Sequence, residues 1–319
     1  MIDLSQSELI LQANMHIVTQ DNCTITQIRN HSGEGIMTNY ELFTGVNLMY
    51  NDFHMEKCQS GLEVKENIIC IDHCREGRIE HEIKKDMYVY TGAGDLKIDN
   101  RKHHKGNVIL PLKHYHGITI YIDIDKTKDT LQQHFPSAHI DLKRLMKKFC
   151  SNDEPFIISN EESIQHIFHE LYTVPEKIKK PYMILKVYEL LLFLEALEKT
   201  EKNDDHLYFY KTQVEKVKAI HKLMTENLDK HYTLEELSQK FHISLTVMKN
   251  CFKNIYGDSI FSYMKVYKMN HAAVLLKTNR ELNISDIAGI VGYDSPGKFS
   301  TAFKSVIGMT PSAYRHNLV

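Results

Sequence analysis

The spacing of apolar residues changes along the chain. Over residues 21–125 they alternate: Ile118, Ile120, Ile122 and Ile124 fall on one side, Thr119, Tyr121, Asp123 and Asp125 on the other. A two-residue period is that of a half-buried β-strand. Ile79, His81 and Ile83 alternate with Glu80 and Glu82, and Arg75-Glu-Gly-Arg78 between two such runs reads as a hairpin turn. Many short strands with recurrent glycines predict a small antiparallel barrel or jelly roll. Ahead of them, Leu4, Leu9, Ile10, Leu11 and Ile17 predict a short amphipathic helix over residues 1–20. From 127 to 200 the spacing is three and four. Ile164, Ile167, Phe168 and Leu171 mark one helix. Residues 182–199, with Leu190, Leu191, Phe193, Leu194 and Leu197, mark another, and Pro175 and Pro181 bracket a break before it. Its apolar face either covers the barrel or pairs with a second copy of the chain. Residues 198–205 are a charged linker.

The last third repeats itself. Thr233-Leu-Glu-Glu-Leu-Ser-Gln-Lys-Phe-His-Ile-Ser244 aligns with Asn283-Ile-Ser-Asp-Ile-Ala-Gly-Ile-Val-Gly-Tyr-Asp294 at an offset of 50. After one inserted residue the match resumes at 51, so that Phe252-Lys253 meets Phe303-Lys304 and Gly257 meets Gly308. A repeat of this length is one supersecondary unit used twice. Each copy predicts a helix, a tight turn and a second helix. Thr233 with Glu236 is a capping box, Asn283 caps the repeat, Gly292 makes its turn, and Gly257 is a helix-ending glycine. The second helix of the first copy buries Val247, Met248, Cys251 and Phe252, which leaves Leu245, Thr246, Lys249, Asn250 and Lys253 outward. The repeat's second helix starts near Ser295 and Pro296 and offers Gly297, Lys298, Ser300, Thr301 and Lys304. Short, polar and basic residues suit a helix lying in a DNA groove. Residues 213–231 predict a further helix. Residues 258–279, with Tyr263, Val266, Met269, Ala273 and Leu276, predict a bridge between the copies.

Two such units about 50 residues apart, Ile-x-x-Ile-Ala-x-x-x-Gly-Tyr at 284–293, Phe-x-x-x-Phe-Lys-x-x-x-Gly at 299–308 and Gly-Met-Thr-Pro-Ser-Ala-Tyr-Arg at 308–315 resemble the AraC/XylS-type transcriptional regulators. The resemblance covers roughly residues 210–316. It implies double-stranded DNA as a partner, activation through RNA polymerase, and, in sugar-responsive members, a cupin-like regulatory barrel, which agrees with the strand pattern. Members often carry long polar side chains on the second recognition helix. Gly297 and Thr301 at those positions imply that the second unit holds phosphate through Lys298 and Lys304, and that Thr246, Lys249 and Asn250 read bases.

Charge sharpens this division. The whole chain carries −2, but from residue 209 onward 15 Lys and Arg stand against 9 Asp and Glu, a net +6, and the remainder is −8. A basic C-terminal part is the electrostatic footprint of nucleic-acid binding. The six cysteines lack paired spacing and read as reduced thiols in a cytoplasmic protein. No signal peptide or membrane span is expected, since the longest aliphatic run is residues 190–194.

Enzyme signatures are absent: there is no phosphate loop, Gly-x-Ser-x-Gly or His-Glu-x-x-His. His114-x-His116, with His103 and His104 upstream, is the best local metal motif, but no Glu follows in place, so no metal and no cofactor is expected. Cys70 and Cys74 face one side of a strand and His73 the other, so they do not converge. Cys74 beside Arg75 reads as a plain strand cysteine, and Tyr88 and Tyr90 are candidates for lining a cavity. The resulting expectation is an α+β chain. It has a cupin-like antiparallel β-barrel over 1–126 sensing an unidentified small-molecule effector, central helices and linker over 127–205 forming a homodimer, and an all-α DNA-binding domain with two helix-turn-helix units over 206–319. No catalytic residues are expected. The rival readings are a metal-dependent cupin enzyme fused to a DNA-binding module, and a regulator controlled by a partner protein.

Overall fold

In the computed structural model the chain divides into two units, residues 1–208 and 209–319. Residues 14–20, 22–59, 66–102, 107–134, 140–151, 154–198 and 208–317 are described. Most of the 198–205 linker and the histidines at 103 and 104 lie outside them.

The first unit is a curled antiparallel sheet with helices against one face. Its strands are β1 (Asn14–Gln20), β2 (Cys23–Asn30), β3 (Gly33–Phe43), β4 (Val46–His54), β5 (Lys57–Gln59), β6 (Ile68–Lys84), β7 (Met87–Gly92), β8 (Asp95–Asp99), β9 (Asn107–Ile109) and β10 (Tyr115–Asp123). They neighbour one another in the order β1-β2-β3-β4-β10-β6-β7, and β8 and β9 also pair with β6. Residues 14–20 are a strand rather than the end of a helix; residues 1–13 of that expectation lie outside the described residues. The β-branched run Ile17-Val18-Thr19 pairs along β2, and Ile17 and Val18 are both exposed, so this strand buries no amphipathic face.

Arg75-Glu-Gly-Arg78 is not a hairpin turn. β6 runs through it unbroken, pairing with β10 and β8 before it and with β7 and β9 after it. Gly77 at φ 85° lets the strand bend there, and a Cβ on it would meet the His114 carbonyl oxygen at 2.1 Å. The bend moves one strand between two sets of partners, which are remote in sequence.

On β10 the alternation is as expected, with Ile118, Ile120 and Ile122 in the main core. The opposite side is also covered, however. Thr119, Tyr121 and Asp123 are each under a tenth exposed, because the sheet curls over them. Among them lies a buried charge network. The Asp72 carboxylate accepts from Arg101 Nη2 at 2.8 Å and from the Thr119 hydroxyl at 2.7 Å, and stands 3.0 Å from Lys97 Nζ. Lys97 also donates to Asp99 at 2.5 Å. Burial pushes the Asp72 carboxyl up, but the Arg101 and Lys97 charges outweigh it and hold the group well below the carboxylate range.

The helices are α1 (Ile124–His134), α2 (Leu142–Cys150), α3 (Glu162–Thr173) and α4 (Lys179–Ala196). A strand interrupts this region: β11 (Phe156–Ser159) pairs with β8, so the segment after 127 is not wholly helical. On α3, Ile164, Ile167, Phe168 and Leu171 are all buried. α4 begins before Pro181, which sits in its first turn, where a missing N–H costs nothing. Leu190, Leu191 and Leu194 are buried in the unit's own core. The apolar residues left outside are Ile178, Leu185 and Leu192, at 47%, 52% and 48% exposure.

The second unit is helical: α5 (Lys211–Glu226), α6 (Leu234–Lys240), α7 (Leu245–Tyr256), α8 (Ile260–Thr278), α9 (Ile284–Ile290), α10 (Pro296–Ile307) and α11 (Pro311–His316). α8 serves two cores. Near its start Tyr263 packs edge-on to Phe252 and against Tyr256, and His221 of α5 stacks on Tyr256 at 4.2 Å. Towards its end Met269, Ala272, Ala273 and Leu276 pack with Ile287, Ala288, Val291, Phe299 and Phe303. Val266 of the same helix is 43% exposed. Among the described residues no helix is long and apolar enough to cross a membrane.

Candidate nucleic-acid interface

The helix pairs α6–α7 and α9–α10 are built alike at atomic detail. Thr233 Oγ1 accepts from the Glu236 N–H at 3.1 Å while the Glu236 carboxylate accepts from the Thr233 N–H at 2.8 Å. Asn283 and Asp286 make the same two bonds at 2.8 and 3.0 Å. In the turns, the Ile243 N–H reaches the Ser238 carbonyl at 3.1 Å and the Tyr293 N–H the Ala288 carbonyl at 2.8 Å. The chain turns left-handed at His242 (φ 48°) in one copy and at Gly292 (φ 76°) in the other. Glycine is required in the second, because a Cβ there would lie 2.4 Å from the Leu228 carbonyl oxygen. α7 and α10 both end on a left-handed glycine, Gly257 and Gly308, whose N–H groups return to Lys253 and Lys304 at 2.8 and 3.0 Å.

This frame fixes which way each second helix faces. On α7, Met248, Cys251, Phe252, Ile255 and Tyr256 are buried. Thr246, Lys249, Asn250 and Lys253 are exposed together, and Leu245 is half-buried at their N-terminal end. On α10, Phe299, Ala302 and Phe303 are buried, Gly297, Lys298, Thr301 and Lys304 are exposed, and Ser300 is half-buried. All ten sequence-derived residues therefore lie on α7 and α10, eight exposed and two at the margin. Among the described residues, the four lysines have no carboxylate partner and the Asn250 amide has no hydrogen bond within the protein. Thr301 differs: its hydroxyl donates to the Gly297 carbonyl at 3.0 Å, so its proton is already used.

One feature of α10 was not singled out from the sequence. Its cap residue Ser295 makes no side-chain hydrogen bond to the first turn, whereas Ser244 of α7 accepts from the Val247 N–H. The first N–H groups of α10, beside exposed Gly297 and Lys298, are thus open to an anion. The signal was Pro296-Gly297, a helix start without a bulky side chain.

The helix-turn-helix domain family matches residues 237–317. The chain is 25% identical over 180 residues to the lactose operon transcription activator of Staphylococcus xylosus, covering 56% of each chain. It is 34% identical over 87 residues to the HTH-type transcriptional regulator AlkR of Acinetobacter baylyi, covering 27% of this chain and 28% of that one. Its C-terminal region is thus similar to the DNA-binding domains of AraC-type transcriptional regulators. Among solved structures, the C-terminal domain of AraT, a response regulator from Geobacillus stearothermophilus, is 31% identical, covers 32% of this chain and 84% of that one, and has a TM-score of 0.31. The aligned region spans just over half the length of the staphylococcal relative and less than a third of AlkR.

The groups weighed in the first unit separate in space. His114 Nδ1 turns to the Leu112 carbonyl at 3.1 Å, because β10 begins only at Tyr115, so His114 and His116 do not share a strand face. Cys74 lies in an apolar cluster with Phe53, Met55 and Tyr115, and burial pushes its thiol up to about 12, far from a reactive thiolate. Tyr90 is buried with its hydroxyl on Glu80 at 2.7 Å, and Tyr88 is half-buried.

Proposed function

We propose that the protein is a sequence-specific transcriptional regulator in which α7 and α10 enter successive major-groove segments of double-stranded DNA. The observation that carries this reading is the pair of outward helix faces, one bearing Thr246, Lys249, Asn250 and Lys253 and the other Gly297, Lys298, Thr301 and Lys304, attached to one bridging helix. Two helices on a shared rigid element contact one face of the duplex about one helical turn, roughly 34 Å, apart. Where the bridge holds them closer, the DNA bends, at a cost on the order of a few kcal/mol. Asn presents an amide matched to adenine and Lys a donor matched to guanine, so Asn250 and Lys249 read bases. Lys298, Lys304 and the open N-terminus of α10 hold phosphate. The test is selection of binding sites from random duplexes with the full chain. A recovered motif with two half-segments one turn apart supports the reading, and enrichment no better than random DNA ends it.

The first unit then serves as a cupin-like sensory module. Support comes from its curled sheet, whose inner side carries Asp72, Lys97, Asp99, Arg101 and Thr119 rather than an all-apolar filling. We infer that this side takes a small-molecule effector. The helices that follow supply a homodimer contact: Ile178, Leu185 and Leu192 recur every seven residues and face solvent, a self-complementary apolar stripe. Activation through RNA polymerase in the cytoplasm completes the reading.

A further inference from the structure

We propose that Asp52, His54 and His116 form a binding site for one divalent transition-metal cation of the Zn²⁺ class. Strand geometry brings them together. Asp52 and His54 are two apart on β4 and so project from the same face, and His116 of β10 is the residue directly opposite Asp52 in the ladder. Both imidazole Nε2 atoms approach one carboxylate oxygen, Asp52 Oδ1, at 3.0 Å from His54 and 3.2 Å from His116. The three ligand atoms lie within 4.8 Å of one another. In a tetrahedral site with metal–ligand bonds of about 2.0–2.1 Å, ligand atoms stand roughly 3.3 Å apart.

Ordinary His–Asp hydrogen bonding does not account for the arrangement. Asp52 Oδ1 is shielded from solvent, yet neither ring N–H is aimed at it, and it has no hydrogen-bond partner. The two rings meet edge to face at 85°, with centroids 5.2 Å apart, and each brings its Nε2 close to the same oxygen. Three potential ligand atoms gathered within 4.8 Å, one of them a shielded carboxylate oxygen without a hydrogen-bond partner, are what a cation requires. Two imidazoles and one carboxylate suit Zn²⁺ and its neighbours over Mg²⁺ or Ca²⁺, which take oxygen ligands. The carboxylates at the flanking ladder positions, Glu34 opposite His54 and Glu76 opposite His116, each have an arginine beside them, Arg29 and Arg75. They leave the local field near balance, so ligation rests on the three donors.

The site lies on the helix-facing side of the sheet, in line with Tyr50 and Ile118 but past the covered region, and the side chains of Asp52 and His54 are half exposed or more. The remaining coordination position is therefore open to water. β4 and β10 pair with or without a cation, so binding occupies a preformed surface site and does not assemble the fold.

The test is Zn²⁺ titration of the full chain, stripped with chelator and kept reduced, against a chromophoric competitor, with Co²⁺ absorption as a second probe. Expected are one tight equivalent per chain and a visible Co²⁺ spectrum of tetrahedral type. Losing an outer-shell partner costs metal sites ~10–100-fold in affinity, so His116→Gln or Asp52→Asn, which removes a ligand, should weaken binding by at least roughly a hundredfold. His114→Gln should change nothing. Melting of the metal-free variants checks folding, and if Asp52→Asn or His116→Gln is unfolded, His54→Gln at the exposed strand end decides alone. No stoichiometric binding, or binding that survives both His116→Gln and His54→Gln, overturns the site.

Discussion

The His73 ring lies flat on Phe168, centroids 4.1 Å apart and planes 6° from parallel, joining β6 to α3. Its Nε2 faces Gln165 Oε1 at 3.3 Å and its Nδ1 the Tyr172 hydroxyl at 3.4 Å. Burial pushes the imidazole down to about 4, against an opposing pull from the Gln165 bond. The folded chain thus keeps His73 neutral where the unfolded chain, titrating near 6.5, is protonated. Between those values the unfolded state binds more protons, so stability falls as pH drops from 6.5 towards 4, by about 3 kcal/mol in full. Urea unfolding of the first unit at pH 7 and 4.5 should show the loss in the wild type. His73→Phe, which keeps the stack, should show much less of it; equal losses in both proteins would remove His73 as the cause.

Asp72 should behave in the opposite pH range. Its carboxyl is held below the usual values, so its contribution is present above about pH 4 and is lost only in stronger acid. Asp72→Ala strands Arg101 and Lys97, both under a tenth exposed, with Asp99 alone. Removing one partner of a buried charge network costs about 3–5 kcal/mol. Thermal or urea unfolding at pH 7 measures it, and a loss under 1 kcal/mol would mean that water already relieves these charges.

On DNA, α7 and α10 should contribute unequally. Asn250→Ala and Lys249→Ala should each cost about 1–3 kcal/mol on a selected site and relax preference at one or two base pairs. Thr301→Ala should alter preference much less, since its hydroxyl is spent on the Gly297 carbonyl. Lys304→Ala should weaken binding to all sequences and lower the salt slope by about one. Salt titrations on the selected site and its single-base variants separate these effects. A larger specificity loss in Thr301→Ala than in Asn250→Ala would reverse the assignment.

Dimerisation should depend on the outer stripe of α4. Leu185→Glu with Leu192→Glu should give a folded monomer by sedimentation, because both side chains are about half exposed. Charges at Leu191 or Leu194 should unfold the unit instead, since each is 1% exposed. A double variant that stays dimeric would move the interface elsewhere.

The C-terminal unit was legible because its determinants are local. Thr233 and Glu236, or Asn283 and Asp286, cap a helix from three residues away, and Gly257 and Gly308 end one by their own backbone freedom. The repeat fixed which faces of α7 and α10 point outward, since helical period alone decides that once the buried side is known. In the first unit the alternation of β10 was legible for the same reason. The sequence does not carry what long-range pairing decides. Residues 75–78 have turn composition but bend a continuous strand, because their neighbours are β10 on one side and β7 on the other. The polar face of β10 is buried, because Asp72, Lys97 and Arg101 arrive from segments up to 47 residues away to satisfy it. Leu191 and Leu185 belong to one amphipathic pattern, and only packing against the sheet separates the buried one from the exposed one. His116 found its neighbours Asp52 and His54 across a ladder rather than along the chain, where His114 was the nearer candidate. Periods and caps are written within a few residues; proximity across a curled sheet is set by register, which every strand of the sheet decides together.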